Sequence, residues 1–245
     1  MRHFATKRPY LFSLGIFVIT NIVALPFVLA FKVLNYDLET LRLLIPAAQS
    51  AVVIGVLHYL GWLRTAGFGG QIRDIHVLWF PLVLAFIPVL LFGTVAISAG
   101  NLLFYTLALL FTGISEEGLN RGIILNAVLS KGPWVALLFM ALLFSVGHFT
   151  NLFFEDFSAF EMAEKLLITF GFAILYGAVY LRIRNIWPLI VLHILHDYAY
   201  LTSGTAGPYT AEPFPLEIHL ILAILSILYA IFLMRTATEQ QTPPF

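Results

Sequence analysis

Two adjacent acids and an arginine, in the stretch ISEEGLNR at 114–121, follow an uninterrupted apolar run, LLFYTLALLFTG. Further along the chain lie FSVGH, ending at His148, and HILHD, which carries His193, His196 and Asp197. Glu117 and Arg121 stand at i and i+4 with the acid first, the better orientation for an ion pair on a helix. His193 and Asp197 share that spacing and one helix face. Glu116 projects about 100° around from Glu117 and can meet a different neighbour. One glutamate can thus be held by arginine while the other stays available for chemistry. A carboxylate, a histidine and a His-x-x-x-Asp face are the parts needed to activate water or to bind a metal.

These groups must be carried by membrane-spanning helices. The 245 residues are 60% hydrophobic and 11% charged with mean hydropathy +0.94, against about 25% charged in soluble domains. Eight continuously apolar segments fall near 10–31, 41–62, 76–98, 101–129, 134–151, 165–182, 186–202 and 216–234. They do not alternate as barrel strands would, so the expected fold is an all-α, polytopic transmembrane bundle of about eight helices. A charged group at the bilayer centre costs roughly 2.5–3.5 kcal/mol even on the mild insertion scale. Glu116, Glu117, Arg121, His148, His193, His196 and Asp197 should therefore pair or line a wet cavity, and His58 stands apart as a lone helix contact.

The opening MRHFATKRPYLFSLGIFVITNIVALPFVLAF has a basic start, but its apolar run of about 22 residues exceeds a signal core and reads as a retained first helix. With that start cytoplasmic, Arg2, Lys7, Arg8, Arg64, Arg73, Lys131, Arg182, Arg184 and Arg235 fall at inner loops, and Lys32, Arg42 and Lys165 at outer ones. This asymmetry places both termini inside. Trp62, Trp79, Trp134 and Trp187 all mark inner helix ends, where amphipathic rings favour the headgroup level. The outer stretch NLFFEDFSAFEMAEK is acidic and reads as a solvated connector, with a surface helix as the alternative. No linker or repeat divides residues 1–245, taken as one integral-membrane domain with its motifs in 101–203.

Lys+Arg and Asp+Glu balance at 13 each, so no net field points to nucleic acid. Zero cysteines exclude disulfides, thiol catalysis and Cys-ligated zinc. The expected partners are membrane lipid and a membrane-associated protein or peptide. The expected location is an integral membrane one, the plasma (inner) membrane if the cell is bacterial.

Three motifs, in order on three segments, resemble the CPBP family of intramembrane proteases, which includes CAAX prenyl endopeptidases and bacteriocin-processing or immunity-associated proteins. They are E-E-x-x-x-R at Glu116, Glu117 and Arg121, F-x-x-x-H at Phe144 and His148, and H-x-x-x-N/D at His193 and Asp197. The resemblance implies an intramembrane endopeptidase in which Glu116 acts as general base, His148 helps position water, and His193 with Asp197 stabilises the oxyanion. Glu117, Arg121, Phe144 and His196 would support them. The family is often labelled metalloprotease. Glu116, His148 and His193 would satisfy a three-ligand zinc site, and a metal-free glutamate mechanism is equally compatible.

One departure is Asp197, where the family more usually carries Asn. An amide donates a hydrogen bond to an oxyanion; a carboxylate must be protonated to do so, or else orient His193 or bind metal. Depth is a second tension. At about 1.5 Å per residue, His148 lies roughly 21 Å from Trp134 and His193 only about 9 Å from Trp187. A tilt, a later start to the fifth helix, or a break at Gly147 would reconcile them. The rival functions are a scaffold or immunity protein of the same fold, and a small transporter, which would call for inverted repeats with broken helices that are not evident.

Overall fold

The computed structural model describes residues 2–34, 38–153, 156–203 and 216–237. Its helices are α1 (Arg2–Lys7), α2 (Pro9–Ile22), α3 (Leu25–Leu34), α4 (Leu38–Leu60), α5 (Trp79–Phe92), α6 (Ala99–Glu117), α7 (Asn126–Val128), α8 (Pro133–Gly147), α9 (Ala159–Ile183), α10 (Trp187–Thr202) and α11 (Leu216–Ala237). Among the described residues, seven helical stretches are long and apolar enough to cross a membrane. The eighth expected segment is α10, whose 16 residues rise about 24 Å, short of a full hydrocarbon thickness. The chain is an integral membrane protein with an all-α, polytopic bundle fold.

The expected first span, 10–31, is divided into two successive helices. Pro26 lacks an N–H and its ring crowds the carbonyl four residues back, so α2 ends at Ile22 and α3 starts at Leu25. The third span ends sooner than the expected residue 98. Gly93, at φ +72°, caps α5, and the chain then runs extended until Ser98 accepts a hydrogen bond from the Asn101 N–H and starts α6.

The sixth span starts earlier than the expected 165. Ser158 and Glu161 form a reciprocal capping box, which satisfies two N–H groups otherwise without partners at the helix start. The second half of the expected connector is therefore about the first two turns of α9; Phe154 and Glu155 lie outside the described residues.

α9 is the most buried span and packs against α8 and α11, while α6 packs against α4 and α10. Gly171 lets α9 approach α11 closely, since a Cβ there would lie 2.9 Å from the Ala223 Cα.

The two ends of the bundle differ. At one, the loop after α4 is tied to the α9–α10 turn: Ile186 N–H donates to the Gly67 carbonyl (3.2 Å), and the Asn185 amide donates to the Gly70 carbonyl (3.0 Å). Arg182 pairs with Asp74 at the same end (3.0 Å). At the other, Val95 N–H donates to the Thr202 carbonyl (2.8 Å) beside a bridge between Thr94 and Ser203.

Candidate active site

Glu116 and Glu117 close α6, and the helix then continues as a π-helical stretch, Gly118–Leu125, that contains Arg121. π segments are rare and occur frequently at functional sites. Side chains fasten the widened turn: Asn120 donates to the Glu116 carbonyl (2.8 Å), and Asn126 donates to the carbonyls of Arg121 (2.9 Å) and Gly122 (3.1 Å). Glycine allows the stretch to sit deep. A Cβ at Gly118 would lie 2.7 Å from the Val53 side chain, and one at Gly113 would lie 3.1 Å from that of Ile190. The second approach brings α6 against α10, and with it Glu116 and Glu117 against His193.

Arg121 and Glu117 are 1% and 0% exposed, so both are removed from solvent and must compensate each other. Arg121 Nη1 lies 3.2 Å from Glu117 Oε1, and its Nη2 donates to the Ala173 carbonyl (3.3 Å). The guanidinium also stands over the rings of Phe144 (5.1 Å) and Tyr176 (5.7 Å), a favourable place for a desolvated cation. This pair is more than helix glue, because the same Glu117 oxygen lies 3.0 Å from Nδ1 of His193.

His193 is the hub. Its Nε2 lies 3.7 Å from Glu116 Oε2 and 3.4 Å from Asp197 Oδ2, so three carboxylates from two helices converge on one imidazole. Glu117 engages the buried ring nitrogen. Glu116 and Asp197, with about a third of their side-chain surface open, flank the other nitrogen.

These residues line a cavity of about 750 Å³. His148 lines it too, directly after the end of α8 at Gly147, where a 3₁₀ turn, His148–Phe153, begins; His148 and His193 thus share one cavity despite their different distances along their helices from Trp134 and Trp187. His148 Nδ1 lies 2.9 Å from the Phe144 carbonyl, and its ring meets the Phe144 ring edge-on at 4.9 Å. The F-x-x-x-H spacing thus joins Arg121 to His148 through one phenylalanine.

His196 lines the cavity beside the hub, packed against Phe172 (4.6 Å) and Tyr200 (5.0 Å). His58 is exposed in the last turn of α4 and lies outside this cavity. Among the described residues, no three His, Cys, Asp or Glu side chains are arranged to hold a metal ion. Glu116, His148 and His193 share the cavity without forming a ligand shell.

Sequence reading missed a second polar pair. Glu164 on α9 and His219 on α11 are both buried, line the same cavity and bond through Glu164 Oε1 and His219 Nδ1. Glu164 falls in the stretch expected to be a connector and His219 carries no motif; an ionisable residue four places into an apolar segment is the signal available.

Residues 98–199 match the family model described as type II CAAX prenyl endopeptidase, Rce1-like. The match spans all three motifs and is consistent with a CPBP-family intramembrane protease. Comparison with curated proteins finds no match.

Proposed function

We propose that this chain, with the CAAX prenyl endopeptidase signature over its motif-bearing helices, is an intramembrane endopeptidase that cleaves a membrane-associated protein or peptide by glutamate-activated water. The observation that carries the reading is the convergence of Glu116, Glu117 and Asp197 on His193, at 3.7, 3.0 and 3.4 Å, in a cavity shared with His148.

Each residue has a distinct task. Glu116, partly open to the cavity, is the general base: it takes a proton from water as the oxygen attacks the scissile carbonyl carbon. His148, on the opposite element, orients that water. His193 donates a hydrogen bond from Nε2 to the oxygen that becomes negative, and Glu117, held by Arg121, keeps the ring turned toward it. Glu116 then returns its proton to the departing nitrogen as the C–N bond breaks, leaving an acid and an amine. Asp197, one turn along from His193, orients the same ring and takes the place of the more usual amide.

The test is to incubate purified protein with a panel of membrane-inserted peptides, prenylated and unprenylated, and weigh the products. Two fragments whose masses total the substrate plus one water support hydrolysis. Intact peptides across the panel with folded protein contradict it.

A further inference from the structure

One wall of the cavity is built from α2 and α4 and carries polar groups that the reaction above does not use: Thr20, Asn21 and Gln49. All three lie within membrane-spanning stretches, where a polar group without a partner is costly because no water replaces it. Asn21 Nδ2 donates to the Phe17 carbonyl (2.8 Å), and Gln49 Nε2 donates to the Thr20 carbonyl (3.3 Å). A carbonyl only accepts, so each amide must turn its NH₂ toward it, and each amide oxygen is directed elsewhere. The Gln49 bond ties α4 to α2, but that structural role uses only the nitrogen. Among the described residues no donor reaches Asn21 Oδ1 or Gln49 Oε1. Neither oxygen is sealed inside the protein, unlike the hydroxyl of Thr20, which is 2% exposed as a residue and also has no partner.

This wall adjoins the reacting groups. A Cβ at Gly147, the residue before His148, would lie 3.4 Å from the Phe17 ring, and Phe17 is one helical turn from Asn21. Ser50, next to Gln49, donates to the Phe111 carbonyl on α6 (2.7 Å). Phe111 precedes Glu116 by five residues, about 7.5 Å along the helix, which is roughly the length of two extended residues.

What the wall lacks is N–H donors, and a peptide supplies them when it is extended. A helical span keeps its N–H groups bonded to its own carbonyls. One opened for attack at a carbonyl carbon frees them in a poorly hydrated place, where each needs a new acceptor. We propose that Asn21 and Gln49 bind the substrate as an extended strand, their amide oxygens accepting backbone N–H groups about two residues from the scissile bond. This rests on the endopeptidase reading and names the conformation its substrate takes: a locally unwound segment, not an intact transmembrane helix. Ile45, one turn from Gln49, and Val28 line the same cavity with apolar surface, suited to side chains that alternate along an extended chain.

The probe is a peptide of the panel above, remade with an ester in place of one backbone amide at a time on either side of the cut, so that single N–H groups are lost. KM, kcat and the unfolding midpoint are measured for wild type, Asn21→Leu and Gln49→Leu. Each substitution should raise KM about 3- to 10-fold, the worth of one hydrogen bond, with kcat nearly unchanged. In wild type an ester at the bonded position should raise KM by a similar factor, and in the matching variant the same ester should cost nothing more. Additive effects at every position, or substitutions that lower midpoint and kcat together while KM holds, overturn the proposal. Binding of a fluorescently labelled peptide to the Glu116→Gln variant, which leaves it intact, is the second readout. Coupled effects in binding with no cleavage by wild type contradict the endopeptidase reading and leave the acceptor wall standing; cleavage with additive ester effects does the reverse. A folded protein that neither binds nor cleaves any peptide of the panel overturns both.

Discussion

Nδ1 of His193 lies 3.0 Å from Oε1 of Glu117, the same oxygen that lies 3.2 Å from the Arg121 guanidinium. One buried carboxylate oxygen therefore serves an arginine on its own helix and an imidazole from a helix 76 residues away in sequence. Structure and chemistry are joined at this atom, and variants can separate them.

Arg121→Ala leaves Glu117 buried with its cation gone, a change that costs about 3–5 kcal/mol and should lower the unfolding midpoint in detergent markedly. Replacing both partners by apolar residues, Glu117→Leu with Arg121→Met, should recover most of that stability. Cleavage should not recover, because His193 loses the carboxylate that orients it. Thermal unfolding and cleavage rate measured on the same preparations check both halves.

Gly113 sets the distance between α6 and α10. Gly113→Val overpacks the contact with Ile190, a change worth about 1–3 kcal/mol of stability, and moves Glu116 away from His193. Combining it with Ile190→Ala should restore both stability and cleavage. A double-mutant cycle with no coupling would show that the close approach does not position the site.

His148 is half-buried at a helix break, so its removal should be felt in rate more than in stability. His148→Ala is expected to slow cleavage by about 10²–10⁴-fold with little change in unfolding midpoint. A large stability loss with proportionate loss of activity would recast His148 as a structural group bonded to Phe144.

Asp197→Asn keeps the shape and supplies an N–H donor. Cleavage should persist in this variant and be lost in Asp197→Ala. Persistence in both would remove Asp197 from the mechanism.

Much of this site is legible in the sequence because its logic is helical. The i, i+4 spacings of Glu117 with Arg121 and of His193 with Asp197 hold in three dimensions, at 3.2 and 3.4 Å, as helix geometry requires. The contact of Glu117 with His193 is not local, and no spacing encodes which face of α6 meets α10; Gly113 and Ile190 decide it through close packing. The end of α8 at Gly147 and the 3₁₀ turn from His148 are not legible, since no proline announces them. Pro26 and Gly93 do mark the interruption and the early stop in the first and third spans, but continuous hydropathy across them hides both. The pairing of Glu164 with His219 is not encoded by any local spacing, because one partner falls in a stretch that reads as a connector and the other is marked only as an ionisable residue inside an apolar segment.

The central claim is that Glu116 supplies the base. On any peptide the protein cleaves, the rate is measured for wild type and for Glu116→Gln, with folding of both verified by their unfolding midpoints. Loss of cleavage by about 10²–10⁴-fold at an unchanged midpoint is the predicted result. Cleavage by the Glu116→Gln variant at the wild-type rate would contradict it.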